Sequence, residues 1–203
     1  MLSLFYGKNK LNKHFILGSG SQRRLELLSQ IGVKPDLIKS PDICEKVYSK
    51  ELPRNYVQRI ALEKNRVFQP KYSTSVILTA DTVVSVGRRI LPKTTEVKTA
   101  EECLKLISGR RHKVFTCFVL YSPNNSVKIK TIQSIVKFKR LHPDEINFYL
   151  STNEWLGKAG GYAIQGIAAS FINFISGSYS NIVGLPLSDL YRSLVSIGYK
   201  FTK

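Results

Sequence analysis

The sequence has no apolar run near the roughly 20 residues that a membrane-spanning helix requires, and no internal repeat or low-complexity segment. Its first twenty residues, MLSLFYGKNKLNKHFILGSG, lack a signal peptide's order of basic start, long apolar middle and small-residue cleavage site. A cytoplasmic protein is the expectation. Cysteine is scarce: Cys44, Cys103 and Cys117 are odd in number, widely spaced and form no CxxC pair, which reads as reduced thiols. Histidine is equally scarce. His14, His112 and His142 are scattered without HExxH spacing, so neither a zinc site nor a histidine-based triad has support. Acidic residues are the largest shortage, 14 against 31 Lys and Arg in 203 residues, for a net charge of +17. Such a field attracts anions, and nucleic acid, nucleotides or an acidic surface would each satisfy it. The bases are spread thinly, without a Lys/Arg tract, so drift in composition is the competing explanation.

What is present fits one domain over residues 1–203, with residues 1–14 as a basic leader. HFILG reads as a short buried strand and SGSQ as a turn. A helix from Gln22 would put Leu25, Leu28 and Ile31 on one face and close at Gly32. Pro53 suits a helix's first turn, and Val57, Ile60, Ala61, Val67 and Phe68 would make that helix's apolar stripe. A helix over 96–108 would gather Val97, Ala100, Leu104 and Ile107, with Gly109 as stop. KVFTCFVLYS is a strong strand, VKIKTIQSIVKFKR one long or two joined strands, and IAASFINFI either strand or buried helix. Strands and helices mix without strict alternation, so an α/β or α+β fold with a mostly mixed sheet and flanking helices is expected.

Four places could carry chemistry. In VILTADTVVSVG, Asp81 interrupts a β-branched run where aspartate is depleted. It is a structural carboxylate, a cation ligand or a general base. Lys64 sits on the apolar face of its helix and must either snorkel to the edge or meet a buried anion. In LGSGSQRRLELL a strand ends in a small-residue turn before a helix. Free N–H groups, the hydroxyls of Ser19 and Ser21, and the forked donors of Arg23 and Arg24 converge there, either as a phosphate site or as a plain turn capped by Ser21. The spacing is not that of a P-loop. In GKAGGYAIQG, Gln165 has the donors and acceptors to meet a base edge, or is a surface residue of a tight loop. GSYSNIVGLP, with Ser178, Tyr179 and Asn181, lines a pocket or forms turns, and Lys93 in LPKTT reads as a solvated loop lysine.

Taken in order, SGSQRRLELL, ALEKNR, TADTVV, ISGRRHKVFT, GKAGGYAIQG and GSYSNIVGLPL resemble the Maf nucleoside triphosphate pyrophosphatases from about Phe15 to Tyr199. The last two segments are similar to the branch acting on dTTP and UTP rather than on 7-methyl-GTP. The chain departs from the family pattern at three places: Gln22 stands for proline, Cys44-Glu45 stands for an acidic pair, and the Gly-Lys-Pro loop is Leu91-Pro92-Lys93-Thr94.

The resemblance implies a two-lobed α/β domain with a central cleft, like that of inosine triphosphatases, often as a homodimer. It implies hydrolysis of dTTP, UTP and modified pyrimidine nucleotides to the monophosphate and pyrophosphate, with a divalent cation, magnesium or manganese. Asp81 corresponds to the catalytic carboxylate, and Arg23, Thr82 and Gln165 to the base-specificity positions. Ser19, Ser21, Lys64 and Lys93 would hold phosphate. Glu45 would serve the metal; if the first acid of the family's pair is the functional one, Cys44 replaces it and Glu45 or Asp42 would have to compensate. The rival from another class is a non-catalytic, basic nucleic-acid-binding protein.

Overall fold

The computed structural model describes residues 14–124 and 126–201; the expected leader lies outside them except for His14. Seven strands form one sheet in the order β2 (Leu37–Ile38), β1 (Phe15–Gly18), β3 (Val76–Val86), β5 (Arg111–Ser122), β6 (Ser126–Phe138), β7 (Ile172–Ser176), with β4 (Arg89–Leu91) paired to β3 as well. The expected mixed sheet is present. β3 pairs parallel with β1 and antiparallel with both β5 and β4, so the change of strand direction falls on the strand that carries Asp81.

β-branched alternation gives β3 two buried faces. Leu78, Ala80 and Val84 join a large core with Leu27, Leu28, Leu104, Phe118, Phe138, Tyr149 and Trp155. Ile77 and Val83, on the opposite face, meet α2 (Pro53–Phe68) through Phe68 and through Tyr56, Val57, Ile60 and Ala61 respectively. α1 (Gln22–Gln30), α3 (Val97–Ile107), α4 (Pro143–Ser151), α5 (Tyr179–Val183) and α6 (Leu187–Ser196) complete the element order. Among the described residues, no helix is long and apolar enough to cross a membrane.

Several local readings change. Val67 and Val97 are 43% and 55% exposed, because each sits at the margin of its helix's apolar arc. On α1 Leu28 of the expected face is buried and Leu25 and Ile31 pack half-buried against the same core, with Arg24 and Leu27 buried beside them. Ser21 stands at the N-cap without a side-chain cap bond; its own N–H donates to Ser19 Oγ instead, at 3.3 Å. IAASFINFI resolves into a 3₁₀ turn over Ile167–Phe171 followed by β7. β6 is one continuous strand. The three cysteines are free thiols, Cys44 exposed and the others buried.

Candidate active site

The register of β3 leaves a gap in the sheet. β1 pairs with it only as far as Thr79, and β4 begins to pair at Val84. Residues 80–83 therefore have no strand partner on that edge, and a cleft opens there. It is lined by the turn after β1 (Ser19, Gly20, Ser21), by Arg23 and Arg24 of α1, and by Ser40 and Glu45. Lys64, Thr82, Lys93 and the loop from Gly157 to Gln165 complete its polar wall.

At the floor of the gap Asp81 is fully buried and faces α2. Lys64 Nζ lies 2.9 Å from its Oδ1 and 2.6 Å from Glu45 Oε1. Lys93 Nζ lies 3.1 Å from the same Oδ1 and 3.0 Å from Glu45 Oε2. Two ammonium groups and two carboxylates thus alternate in a closed ring of zero net charge. This is why an aspartate survives inside a buried strand: a charge taken out of water is tolerable when paired and hydrogen-bonded. Burial by itself would raise the Glu45 carboxyl, but Lys93 and Lys64 outweigh it and hold the group down at about 2. Burial opposes the charge on Lys93 as well, yet Asp81 and Glu45 draw its pKa above the usual lysine value.

Lys64 does not snorkel, and Lys93 is not a freely solvated loop lysine. The Lys93 loop is tied to the glycine-rich loop by a bridge between Lys93 and Ala159, by Gly160 N–H donating to Pro92 O at 3.2 Å, and by Gly157 N–H donating to Thr94 O at 3.0 Å. The acidic position lost at Cys44 has a substitute: Cys44 is exposed while its neighbour Glu45 enters the ring.

Thr82 leaves β3 on the other face. Arg24, buried in α1, donates from NH2 to Thr82 Oγ1 at 3.1 Å, from NH1 to Ser19 Oγ at 2.8 Å and from Nε to Gly184 O at 2.9 Å. No carboxylate lies within ion-pair distance of it among the described residues. Burial lowers its pKa, and the charge of Asp81 is the largest influence in the other direction. Sequence reading missed this role, though a signal existed: positions 24, 27 and 28 share a helical stripe. Arg23, also lowered by burial, lines the cleft beside it.

Gln165 is exposed at the cleft wall, with no side-chain hydrogen bond among the described residues. Ser178 and Asn181 turn out to be structural. Ser178 Oγ caps α5, and Asn181 Nδ2 donates to Ser134 Oγ and Val114 O.

The described residues contain no group of three or more His, Cys, Asp or Glu side chains able to hold a metal ion. The donor set that converges is Asp81 with Glu45, and Asp81 Oδ2 is buried without a hydrogen-bond partner. Two carboxylates with an unused oxygen suit a hard cation of the magnesium type, which takes one or two carboxylates and completes its shell with water and substrate phosphate.

Comparison with known proteins agrees in extent and in kind. The profile of the Maf-like protein family matches residues 14–197. A nucleoside triphosphate pyrophosphatase of Ehrlichia chaffeensis is 49% identical over 89% of this chain and 94% of its own. A dTTP/UTP pyrophosphatase of Zymomonas mobilis is 48% identical over 91% of each. Among solved structures, a HAM1 protein from Coxiella burnetii aligns with TM-score 0.52 over 91% of this chain and 99% of its own, at 15% identity, which speaks for the fold.

Proposed function

The chain belongs to the Maf-like protein family, and we propose that it is a nucleoside triphosphate pyrophosphatase that converts dTTP and UTP, with modified pyrimidine relatives, to the monophosphate and pyrophosphate. The observation that carries this reading is the ring of Lys64, Asp81, Lys93 and Glu45 at the floor of a cleft whose remaining polar wall is cationic and hydroxyl-bearing. The relatives' names supply the pyrimidine preference.

Lys64 and Lys93 neutralise the carboxylates in the resting site and, with substrate present, pass to the phosphates. Ser19, Ser21 and the start of α1 hold the anion from the other side, where N–H groups and the positive end of the helix dipole favour it. Asp81 is the base. Once Lys64 and Lys93 have moved to the phosphates, its carboxylate takes a proton from the water whose oxygen bonds the α-phosphorus. The α–β anhydride bond breaks, and its electron pair leaves with pyrophosphate. Arg23, Thr82 and Gln165 face the nucleoside and set base preference. Asp81 and Glu45 would hold a divalent cation, magnesium or manganese, whose chemistry is neutralisation of phosphate charge. A cytoplasmic location and a homodimer belong to the same proposal.

The test is pyrophosphate release from dTTP, UTP, CTP, GTP, ATP and 7-methyl-GTP, with Asp81→Asn beside the natural protein. Release from dTTP and UTP, lost in Asp81→Asn with the circular dichroism spectrum intact, is expected. Turnover retained in Asp81→Asn removes Asp81 from the mechanism. Silence from the natural protein on all six nucleotides removes the function.

A further inference from the structure

Gln165 lines the cleft, yet among the described residues no hydrogen bond from the cleft wall holds its side chain or its own backbone groups. The restraints come from behind. On the N-terminal side, Ala163 N–H donates to the phenolic oxygen of Tyr149, a buried α4 residue, at 3.0 Å, and Ala163 O accepts from Gly166 N–H at 3.2 Å. On the C-terminal side, Ile167 N–H donates to Glu154 Oε2 at 2.8 Å. Glu154 lies in the turn after α4, outside the cleft lining, and its own N–H is bonded to Thr152 Oγ1 at 3.3 Å. Its neighbour Trp155 is buried and anchored by an indole N–H donating to Leu150 O at 2.8 Å.

Gly166 reports how close this support is. Its φ of −109° lies outside the left-handed region that favours glycine. A Cβ at that position would instead overlap the Glu154 carboxylate, with Oε2 the atom most encroached upon. The carboxylate occupies the space that a side chain at 166 would need.

We infer that Glu154 is a positioning residue for base recognition: its carboxylate, seated under Gly166 and bonded to the Ile167 amide, fixes the angle at which Gln165 meets the pyrimidine. The inference rests on the pyrophosphatase reading for its substrate. Glu154 touches neither the cleft nor the reacting atoms. A charge-assisted bond to a backbone amide is stronger than a neutral one. Its loss lets the Gln165 segment move as a unit while the ring at Asp81 stays in place.

The experiment is a double-mutant cycle of Glu154→Ala and Gly166→Ala, with Glu154→Gln as the conservative partner. Steady-state kinetics on dTTP, UTP and CTP would be joined by calorimetric titration of a non-hydrolysable α,β-imido-dUTP and by amide exchange at Ile167. In Glu154→Ala, the KM for dTTP and UTP is expected to rise roughly tenfold with kcat little changed, the order over CTP to compress, and Ile167 to lose protection. Glu154→Gln keeps an acceptor and should recover most of the effect. Gly166→Ala should reproduce the loss in the natural background and add almost nothing on top of Glu154→Ala, because the atom it strikes is gone.

An unchanged ratio of kcat/KM for dTTP and UTP over CTP, or a protected Ile167 in Glu154→Ala, or fully additive penalties would each overturn the inference. So would an equal loss of kcat on every nucleotide, the signature of general damage. Absence of turnover in the natural protein would instead sink the pyrophosphatase reading. The imido-dUTP titration would then decide the positioning role by itself, and no difference in binding between the natural protein and Glu154→Ala would end it.

Discussion

Thr82 follows Asp81 directly in β3, yet the two side chains leave the sheet on opposite faces. Asp81 meets Lys64 of α2 at 2.9 Å; Thr82 meets Arg24 of α1 at 3.1 Å and Thr116 of β5 at 2.9 Å. The period-2 geometry of a strand makes this unavoidable. It is useful only because residues 80–83 lack a strand neighbour on one edge, so both faces are reachable from one cleft. One residue serves the charged floor and the next the opposite, Arg24-bearing wall of the cleft.

Removing Lys64 should be more damaging than its single charge suggests. Its side chain is 9% exposed and that of Asp81 is 1% exposed. Deleting one member of a buried pair strands the other charge, at about 3 kcal/mol, with Lys93 left as partial compensation. Lys64→Met is expected to lower the urea midpoint accordingly and to abolish pyrophosphate release. A midpoint equal to that of the natural protein would show that Lys93 alone satisfies Asp81.

Acid should unfold the protein partly through Glu45. Its carboxyl titrates at about 2 in the fold and near the ordinary 4.5 in the unfolded chain. Between those values the unfolded chain binds the proton first, so stability is present above about 4.5 and is lost as pH falls toward 2. Denaturation midpoints measured from pH 6 to pH 2 should fall less steeply in Glu45→Gln. Parallel curves would remove Glu45 from the acid transition.

Chelation should separate activity from stability. Lys64 and Lys93 already neutralise Asp81 and Glu45, so the fold does not need a cation to tolerate them. EDTA is expected to stop turnover, added magnesium to restore it, and the melting temperature in EDTA to move by no more than a degree or two. A large fall in melting temperature would mean that a structural ion had been stripped.

Arg24→Lys should fail as a conservative exchange. Three separate donors reach Ser19, Thr82 and Gly184, and a lysine cannot span that fork. Lost bonds at a buried site cost about 2 kcal/mol in total after relaxation. Weaker binding of UTP should accompany the loss, since Ser19 and Thr82 both lose a fixed partner. Unchanged stability by urea titration would count against the hub.

Gln165→Glu should alter which base is preferred while leaving the melting temperature close to the original, because the side chain is exposed and unbonded. Relative kcat/KM across dTTP, UTP and CTP is the readout. An unchanged ranking would take Gln165 out of specificity.

Much of this site was legible along the chain because its members announce themselves chemically. An aspartate amid valines, a lysine on an apolar stripe and a glycine-rich loop with one glutamine each break a local rule, and the ordered motifs resemble one family throughout. What stayed hidden was local neutrality in three dimensions. Lys93 read as a solvated loop residue because sequence spacing cannot show that its loop is stitched to Ala159 and Gly160. Glu45 and Asp42 could each have made good the acid missing at Cys44, because a loop has no fixed period to say which neighbour points inward. Arg24 and Arg23 looked alike until the rotation of α1 buried one of them. Glu154 broke no local rule, since a glutamate in a turn after a helix is ordinary.

By itself, then, the sequence determined the elements, the mixed α/β class and the inventory of reactive groups, since strand and helix periods and residue chemistry are local properties. Tertiary structure alone decided which charges meet. Only the end of β1 at Gly18, opposite Thr79, and the end of β4 at Leu91, opposite Val84, leave β3 open at Asp81. Only that opening brings buried Lys64 and Asp81 together with the half-exposed Lys93 and Glu45, and the low dielectric that penalises each lone charge there also strengthens the attraction of a paired one.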